Sequence, residues 1–163
     1  MAISIQQGTD MTEEAGTEDA KIVKMIVFVV GEQEYCIPIL SVREIRKFEK
    51  TTALPYAPAY VCGAINLRGV ILTVIDLAVY LNVKPEADNP RRVVVIVESS
   101  NGIVCGILVD RVIDMADVNL GEIQAVSEEG SSLSGLVMIG DRIIGVLRLD
   151  TVVGELVGNA IPE

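Results

Sequence analysis

A chain of 163 residues, half of them hydrophobic but only 4% aromatic, is long enough to bury roughly 70% of its unfolded surface without a metal or disulfide staple. Its 24 Val and 19 Ile suit pleated surfaces, so the expected fold is all-β around an aliphatic core, with a few short helices. There is no His, and 13 basic residues against 23 acidic ones leave a formal charge of −10. That removes His-dependent catalysis and His-ligated metals, and it argues against nucleic acid, whose binders neutralise phosphates.

In chain order, residues 1–21 are expected to be a disordered acidic arm. Asp10, Glu13, Glu14, Glu18 and Asp19 carry five of the negative charges, with no base in the first twenty residues. So polar a stretch buries too little to offset its ordering entropy. The N-terminus has neither a cationic n-region nor an apolar h-region, and no apolar run approaches about 20 residues, so no signal peptide or membrane insertion is expected. Cys36, Cys62 and Cys105 are far apart, without a CxxC spacing. They read as buried, reduced thiols of a cytoplasmic protein.

From Lys24 one phrase recurs: apolar run, polar turn, apolar run, then Ser or Asp. It runs MIVFVV–GEQE–YCIPIL before Ser41, VCGAI–NLRG–VILTVI before Asp76, VVVIVE–SSNG–IVCGILV before Asp110, and GLVMI–GD–RIIGVLRL before Asp150. Ile37, Ile39, Val42 and Ile45 align with Ile107, Val109, Val112 and Met115 at an offset of 70. Each turn reads as a hairpin connection. Ser41, Asp76, Asp110 and Asp150 read as N-caps of following helical turns, Ser41-Val-Arg-Glu44 being a full capping-box pattern. Four hairpins predict two small β-barrels, the first over roughly 22–83 and the second over 91–157. A linker at 82–90 and a frayed tail at 158–163 complete the expectation, with strand exchange between the barrels left open. Val93–Val97 and Val70–Ile75 are apolar on both faces and are expected deep, where the barrels meet.

Chemistry-bearing motifs are scarce. GxGxxG and the phosphate-cradling P-loop are absent. Asp76 after ILTVI resembles a receiver phosphoacceptor, but the acidic pair and parallel βα alternation of a receiver are missing. The carboxylates Glu128, Glu129, Asp114 and Asp117 read as solvated charge. No catalytic residue, metal or cofactor is expected. Arg68 stands out at a hairpin tip between two apolar strands, where a guanidinium is either surface charge or a forked donor to a carboxylate; Glu44 is the candidate partner. Val42 beside it is either core or surface.

EYCIPILSVREIRK, PAYVCGAINLRGVILTVIDL, VVIVESSNGIVCGILVDRV and LSGLVMIGDRIIGVL, in this order from about Lys24 to Leu156, resemble the CheW family of bacterial chemotaxis coupling proteins. The resemblance implies two five-stranded SH3-like barrels with a hydrophobic groove between them. It also implies a non-catalytic adaptor bridging the cytoplasmic hairpin tip of chemoreceptors and the regulatory domain of a histidine kinase, in membrane-associated arrays. By motif position it implies that Glu44 and Arg68 form an ion pair beside the receptor-binding surface. Ile39, Val42, Gly63, Asn66, Leu67, Gly69, Val93 and Val94 would line or shape the groove. The chain is expected to be the stand-alone form; the alternatives are the CheW-like module of a kinase or, less in keeping with the residues, a small ligand-binding barrel.

Overall fold

Runs of branched aliphatic residues punctuated by glycine turns make most of this chain strand. The computed structural model describes residues 21–84, 89–126 and 131–158; the acidic arm up to residue 20 and the tail from 159 lie outside them. The strands are β1 (Ile22–Val30), β2 (Gln33–Pro38), β3 (Val42–Lys47), β4 (Val61–Leu67), β5 (Val70–Asp76), β6 (Val93–Glu98), β7 (Val104–Val109), β8 (Arg111–Asn119), β9 (Gln124–Ala125), β10 (Leu133–Ile139) and β11 (Arg142–Leu147). Helix α1 (Leu77–Leu81) follows β5, helix α2 (Leu149–Gly158) follows β11, and single 3-10 turns occupy Ile39–Ser41 and Leu120–Glu122.

Two sheets result, with orders β9-β10-β11-β2-β1-β8 and β3-β6-β7-β5-β4. They repeat one plan. In each, a hairpin (β10–β11 or β4–β5) lies beside a parallel neighbour (β2 or β7), whose antiparallel partner (β1 or β6) pairs with the strand at the far edge (β8 or β3). The chain therefore holds two repeats, but the sheets are not the repeats. Hairpin β1–β2 of the first half joins the strands of residues 111–147, and hairpin β6–β7 of the second half joins those of residues 42–76. A boundary between a 22–83 unit and a 91–157 unit does not separate the sheets, because each half lends a hairpin to the other.

This exchange explains the two-faced apolar strands. Ile26, Phe28 and Val30 of β1, with Tyr35 and Ile37, meet Val95, Val97, Cys105, Ile107 and Val109 of the second sheet in one core shared by both, sealed by helix residues such as Leu77 and Val152. The intervening Met25 and Val27 instead pack inside the first sheet against Cys36, Val137 and Ile144. Val94 and Ile96 do the same inside the second, against Leu72, Val74 and Leu108. Period-two alternation thus feeds two separate cores from one strand. Val93–Val97 is deep as expected, but Val70–Ile75 is only half so: Val70 and Ile71 are 57% and 77% exposed.

The expected caps divide. The Asp76 carboxylate accepts from the Ala78 amide at 3.1 Å and caps α1. Ser41 ends a 3-10 turn and Val42–Lys47 is strand; there the β-branched alternation and the ladder to β6 outcompete the capping box. Asp110 leads directly into strand β8, and Asp150 lies inside the first turn of α2 and bonds elsewhere. Neither is a helix N-cap.

A candidate protein-docking site

Arg68 occupies a two-residue hairpin tip. Arg68 and Gly69 have φ of 51° and 88°, both left-handed as a tight hairpin of this twist requires, and Asn66 Oδ1 accepts from the Gly69 amide at 2.8 Å. A long side chain here holds a conformation that Gly or Asn adopts more readily, at a local cost. The guanidinium forks onto Glu44 of β3, with Nη2–Oε1 at 3.0 Å and Nη1–Oε2 at 3.4 Å. Arg46 adds a third contact to the same carboxylate at 3.3 Å. The hydrogen bond from Arg68, reinforced by Arg46, holds the Glu44 carboxyl below the usual glutamate range. Exposed Ile45, Val70 and Ile71 lie on the same strands.

The other expected positions fall into two groups. Ile39 and Val42 are half-buried where β2 crosses to β3, and Val42 and Val93 pack against the shared core. Gly63, Leu67 and Val94 belong instead to the closing of the second sheet. Val94 is 2% exposed in its interior and Leu67 packs on that interior. Gly63, at φ 144°, lets Thr52 approach so closely that a Cβ would meet its carbonyl oxygen at 2.5 Å. The spacing of a motif does not distinguish a residue lining a surface from one holding it up.

Sequence reasoning missed a concavity of about 510 Å³, where the first sheet meets the β6–β7 loop. Met25, Pro38, Leu120, Leu147 and Leu149 form its apolar wall, and Leu40 stands at its mouth with 94% of its surface exposed. The polar rim is fixed. Asp150 accepts from the Ser100 amide at 3.0 Å and from its hydroxyl, and these two bonds hold the Asp150 carboxyl below its usual range. Glu98 accepts from Arg43 Nε at 2.7 Å. Glu98, which lines the pocket, pairs with Arg43, the residue before Glu44 on β3. The signal that could have found Leu40 was the 70-residue offset, which aligns it with Asp110.

Asp110 is the opposite case, 1% exposed. Its carboxylate accepts from the Gly31 amide at 2.6 Å, with Arg92 Nε 3.8 Å away, while Arg92 Nη2 reaches Asp76 at 3.3 Å. Among the described residues no cluster of three or more Cys, Asp or Glu could hold a metal ion, and no helix is long and apolar enough to cross a membrane.

The profile of the CheW-like domain matches residues 24–157. A probable chemotaxis protein CheW of Rhizobium etli is 42% identical over 142 residues, covering 84% of this chain and 91% of that one. The chemotaxis protein CheW of Bacillus subtilis is 34% identical, covering 86% and 93%. The crystal structure of the scaffolding protein TtCheW from Thermoanaerobacter tengcongensis superposes with a TM-score of 0.70 at 27% identity, over 77% of this chain and 88% of that one. With the family profile matching residues 24–157 and relatives 42% and 34% identical over about nine-tenths of their own length, this chain belongs to the CheW-like domain family.

Proposed function

We propose that this chain is a non-catalytic adaptor that couples the cytoplasmic hairpin tip of a transmembrane chemoreceptor to the regulatory domain of a chemotaxis histidine kinase. It would act in the cytoplasm, recruited to membrane-associated receptor arrays. The observation that carries the reading is the Leu40 pocket together with the Arg43–Glu98 and Glu44–Arg68 ion pairs at nearby positions of the chain. It pairs an open apolar trough with charges already committed to each other, and it offers no group that titrates near neutrality. Such a surface suits the apolar face of a helix, about 10–12 Å across with its side chains, laid into a groove with rim charges setting its orientation. Ile39, Val42, Glu44, Asn66, Leu67, Arg68, Gly69 and Val93 would line or brace it, with Gly63 and Val94 shaping it from within. Weak individual contacts would be held together by the multivalency of the array.

The test is a titration of the purified chain against a receptor cytoplasmic fragment and against the kinase regulatory domain, separately and together. The adaptor reading requires binding to each and kinase autophosphorylation that rises only when all three are present. Binding to neither protein ends it. Turnover of a small substrate, or tight binding of a small ligand, would favour the ligand-barrel reading.

A further inference from the structure

The segment that leaves β3 is pinned at three points. The Phe48 amide donates to the Arg92 carbonyl at 3.0 Å, just before β6. The Thr51 hydroxyl donates to the Cys62 carbonyl at 3.1 Å, and Thr52 exchanges both backbone bonds with Ala64 of β4, at 2.8 and 2.9 Å. Lys47 to Thr52 therefore form a fixed wall, with Ala64, Ile65 and Asn66 of β4 across a cleft of about 260 Å³. Arg46, Lys47 and Lys50 line this cleft together with one carboxylate, Glu49. Lys47 and Lys50 are exposed and have no ion-pair partner among the described residues. Arg46 shares the Glu44 carboxylate with Arg68, so one acid serves two guanidiniums. In a chain of net charge −10 this is a local reversal of sign on a wall that is already in place.

The backbone geometry does not by itself select these cations. The Thr52–Ala64 pairing of the second sheet has a counterpart in the first, Gln124–Leu136, displaced by 72 residues on both strands. There Glu122, Gln124, Leu136 and Met138 line a cleft, in the places taken here by Lys50, Thr52, Ala64 and Asn66. One repeat thus carries an acid and apolar side chains where the other carries a base and polar ones. The basic cleft is also continuous with the ion-paired docking site. Arg46 lines the cleft and bonds to Glu44, and Asn66 lines the cleft and closes the Arg68 hairpin turn. We infer that the cleft receives carboxylates of the partner helix that docks beside it, an acidic cluster at one end of that helix lying on Lys47, Lys50 and Arg46. This rests on the proposed function and names the chemistry its partner must present. A nucleic acid or an anionic membrane fits less well, because the net charge of the chain repels an extended polyanion and three cations supply few phosphate contacts. A helix about 10–12 Å across brings only a few carboxylates within reach at once, which matches so small a cleft. Such exposed pairs fix the direction of the helix and speed its arrival more than they tighten it, and salt screens them.

The probe is a synthetic amphipathic peptide of about 20 residues, long enough to be helical, with glutamates in its first turn, where the helix dipole favours them. It and its Gln and Lys counterparts are titrated into the full-length, isotopically labelled chain and followed by the backbone amide resonances. At about 50 mM salt the Glu peptide should bind at least fivefold more tightly than the Gln peptide and shift the amides of Lys47, Lys50, Thr52 and Asn66, the difference vanishing at about 500 mM. Lys47→Glu with Lys50→Glu should turn the preference towards the Lys peptide and keep Tm within about 2 °C, both side chains being exposed. Equal affinity for the Glu and Gln peptides, or shifts confined to the hairpin of Met138 and Ile143, would overturn the inference. So would self-association of the chain that the double variant abolishes, which would give the cleft to the Glu122 side of a second copy. For a receptor cytoplasmic fragment, the double variant should lose about tenfold in affinity at low salt and little at high salt. The neutral Lys47→Gln with Lys50→Gln should lose less and repeats the comparison without adding like charges. Unchanged affinity for the fragment would overturn the inference and leave the adaptor reading intact. Glu-peptide preference in a chain that binds no receptor fragment would overturn the proposed function and leave the cleft's preference for carboxylates standing.

Discussion

Leu40 and Asp110 occupy the same place in two repeats, 70 residues apart, each at the crossover from one sheet to the other, and they invert what hydrophobicity dictates. The leucine is 94% exposed and the aspartate 1%. Around Asp110 the seam between the sheets is closed: the β1–β2 turn donates its Gly31 amide, Arg92 bridges towards Asp76, and Gly31 lies so close to the Lys84 carbonyl that a Cβ would meet it at 2.2 Å. Around Leu40 the seam is open to a pocket of about 510 Å³, and the loop across it is held back by Asp150 and Ser100. An approximate two-fold fold would seal both ends alike. One end thus carries a buried carboxylate held by a backbone amide, with an arginine beside it, and the other an open apolar mouth, which is the contrast between a structural seam and the docking surface proposed above.

The comparison is broken most severely at Asp110. Asp110→Ala leaves the Gly31 amide without its buried acceptor and removes the negative charge beside the Arg92 guanidinium, which costs about 2–4 kcal/mol. A fall of roughly 5–15 °C in Tm by calorimetry is expected, with receptor-fragment affinity of the folded protein unchanged within twofold. A Tm unaltered by this substitution would deny the clasp its role.

Leu40→Asp reverses the pattern. Tm should stay within about 2 °C, as for an ordinary surface change, while affinity for a receptor fragment falls by about tenfold or more by titration calorimetry. A large loss of stability would place Leu40 in the core after all.

Arg68→Gly sharpens the contrast further, because it removes the forked donor and relieves the left-handed φ at once. The fold should melt within about 3 °C of the parent or above it, and receptor binding should drop several-fold. The associated pH dependence follows from the sign of the Glu44 shift. Its carboxyl is depressed in the folded protein, so its contribution is complete above the unfolded pKa and is lost only as pH falls through the lower folded one. Receptor binding should therefore be flat from about pH 8 to 5.5 and decline below the ordinary glutamate range, a limb that Glu44→Gln removes.

The smallest effect concerns the thiols. Burial pushes Cys36 up to about 11 and Cys105 up to about 12. Cys62 is only half-buried, raised by burial and then by the Asp76 charge. With a chromogenic disulfide reagent at pH 8, Cys62 should react first, and the other two only upon unfolding, since one lies in the core of the first sheet and the other in the shared core. Rapid reaction of all three in the native protein would contradict the closed seam.

The parts legible in the sequence are those governed by neighbours along the chain. Glycine turns and alternating aliphatics located the hairpins β1–β2, β4–β5, β6–β7 and β10–β11, because turn geometry and period-two burial are local. The Asp76 cap was legible for the same reason. Ser41 was misleading because its capping signal competes with ladder partners 46 to 55 residues distant, Val42 with Val97 and Lys47 with Val93, which no local pattern displays. Arg68 was legible from its place at a hairpin tip with Glu44 as candidate partner, and the family resemblance made the two an ion pair. Leu40 was not, because within IPIL it reads as the continuation of a strand. Val94 and Gly63, expected to line or shape the groove, lie inside the second sheet and against Thr52.

Composition and spacing were enough to make this an aliphatic β protein of two repeated hairpin pairs, without the side chains for His-based catalysis. They could not say which hairpin completes which sheet. That was decided by the parallel pairings of β2 with β11 and of β7 with β5, contacts formed across the length of the chain. The alternation that buries both faces of β1 and β6 is satisfied equally well by any sheet offering an apolar neighbour. Only the closure of the common core, with Asp110 turned inward at one end and Leu40 left outside at the other, selects between them.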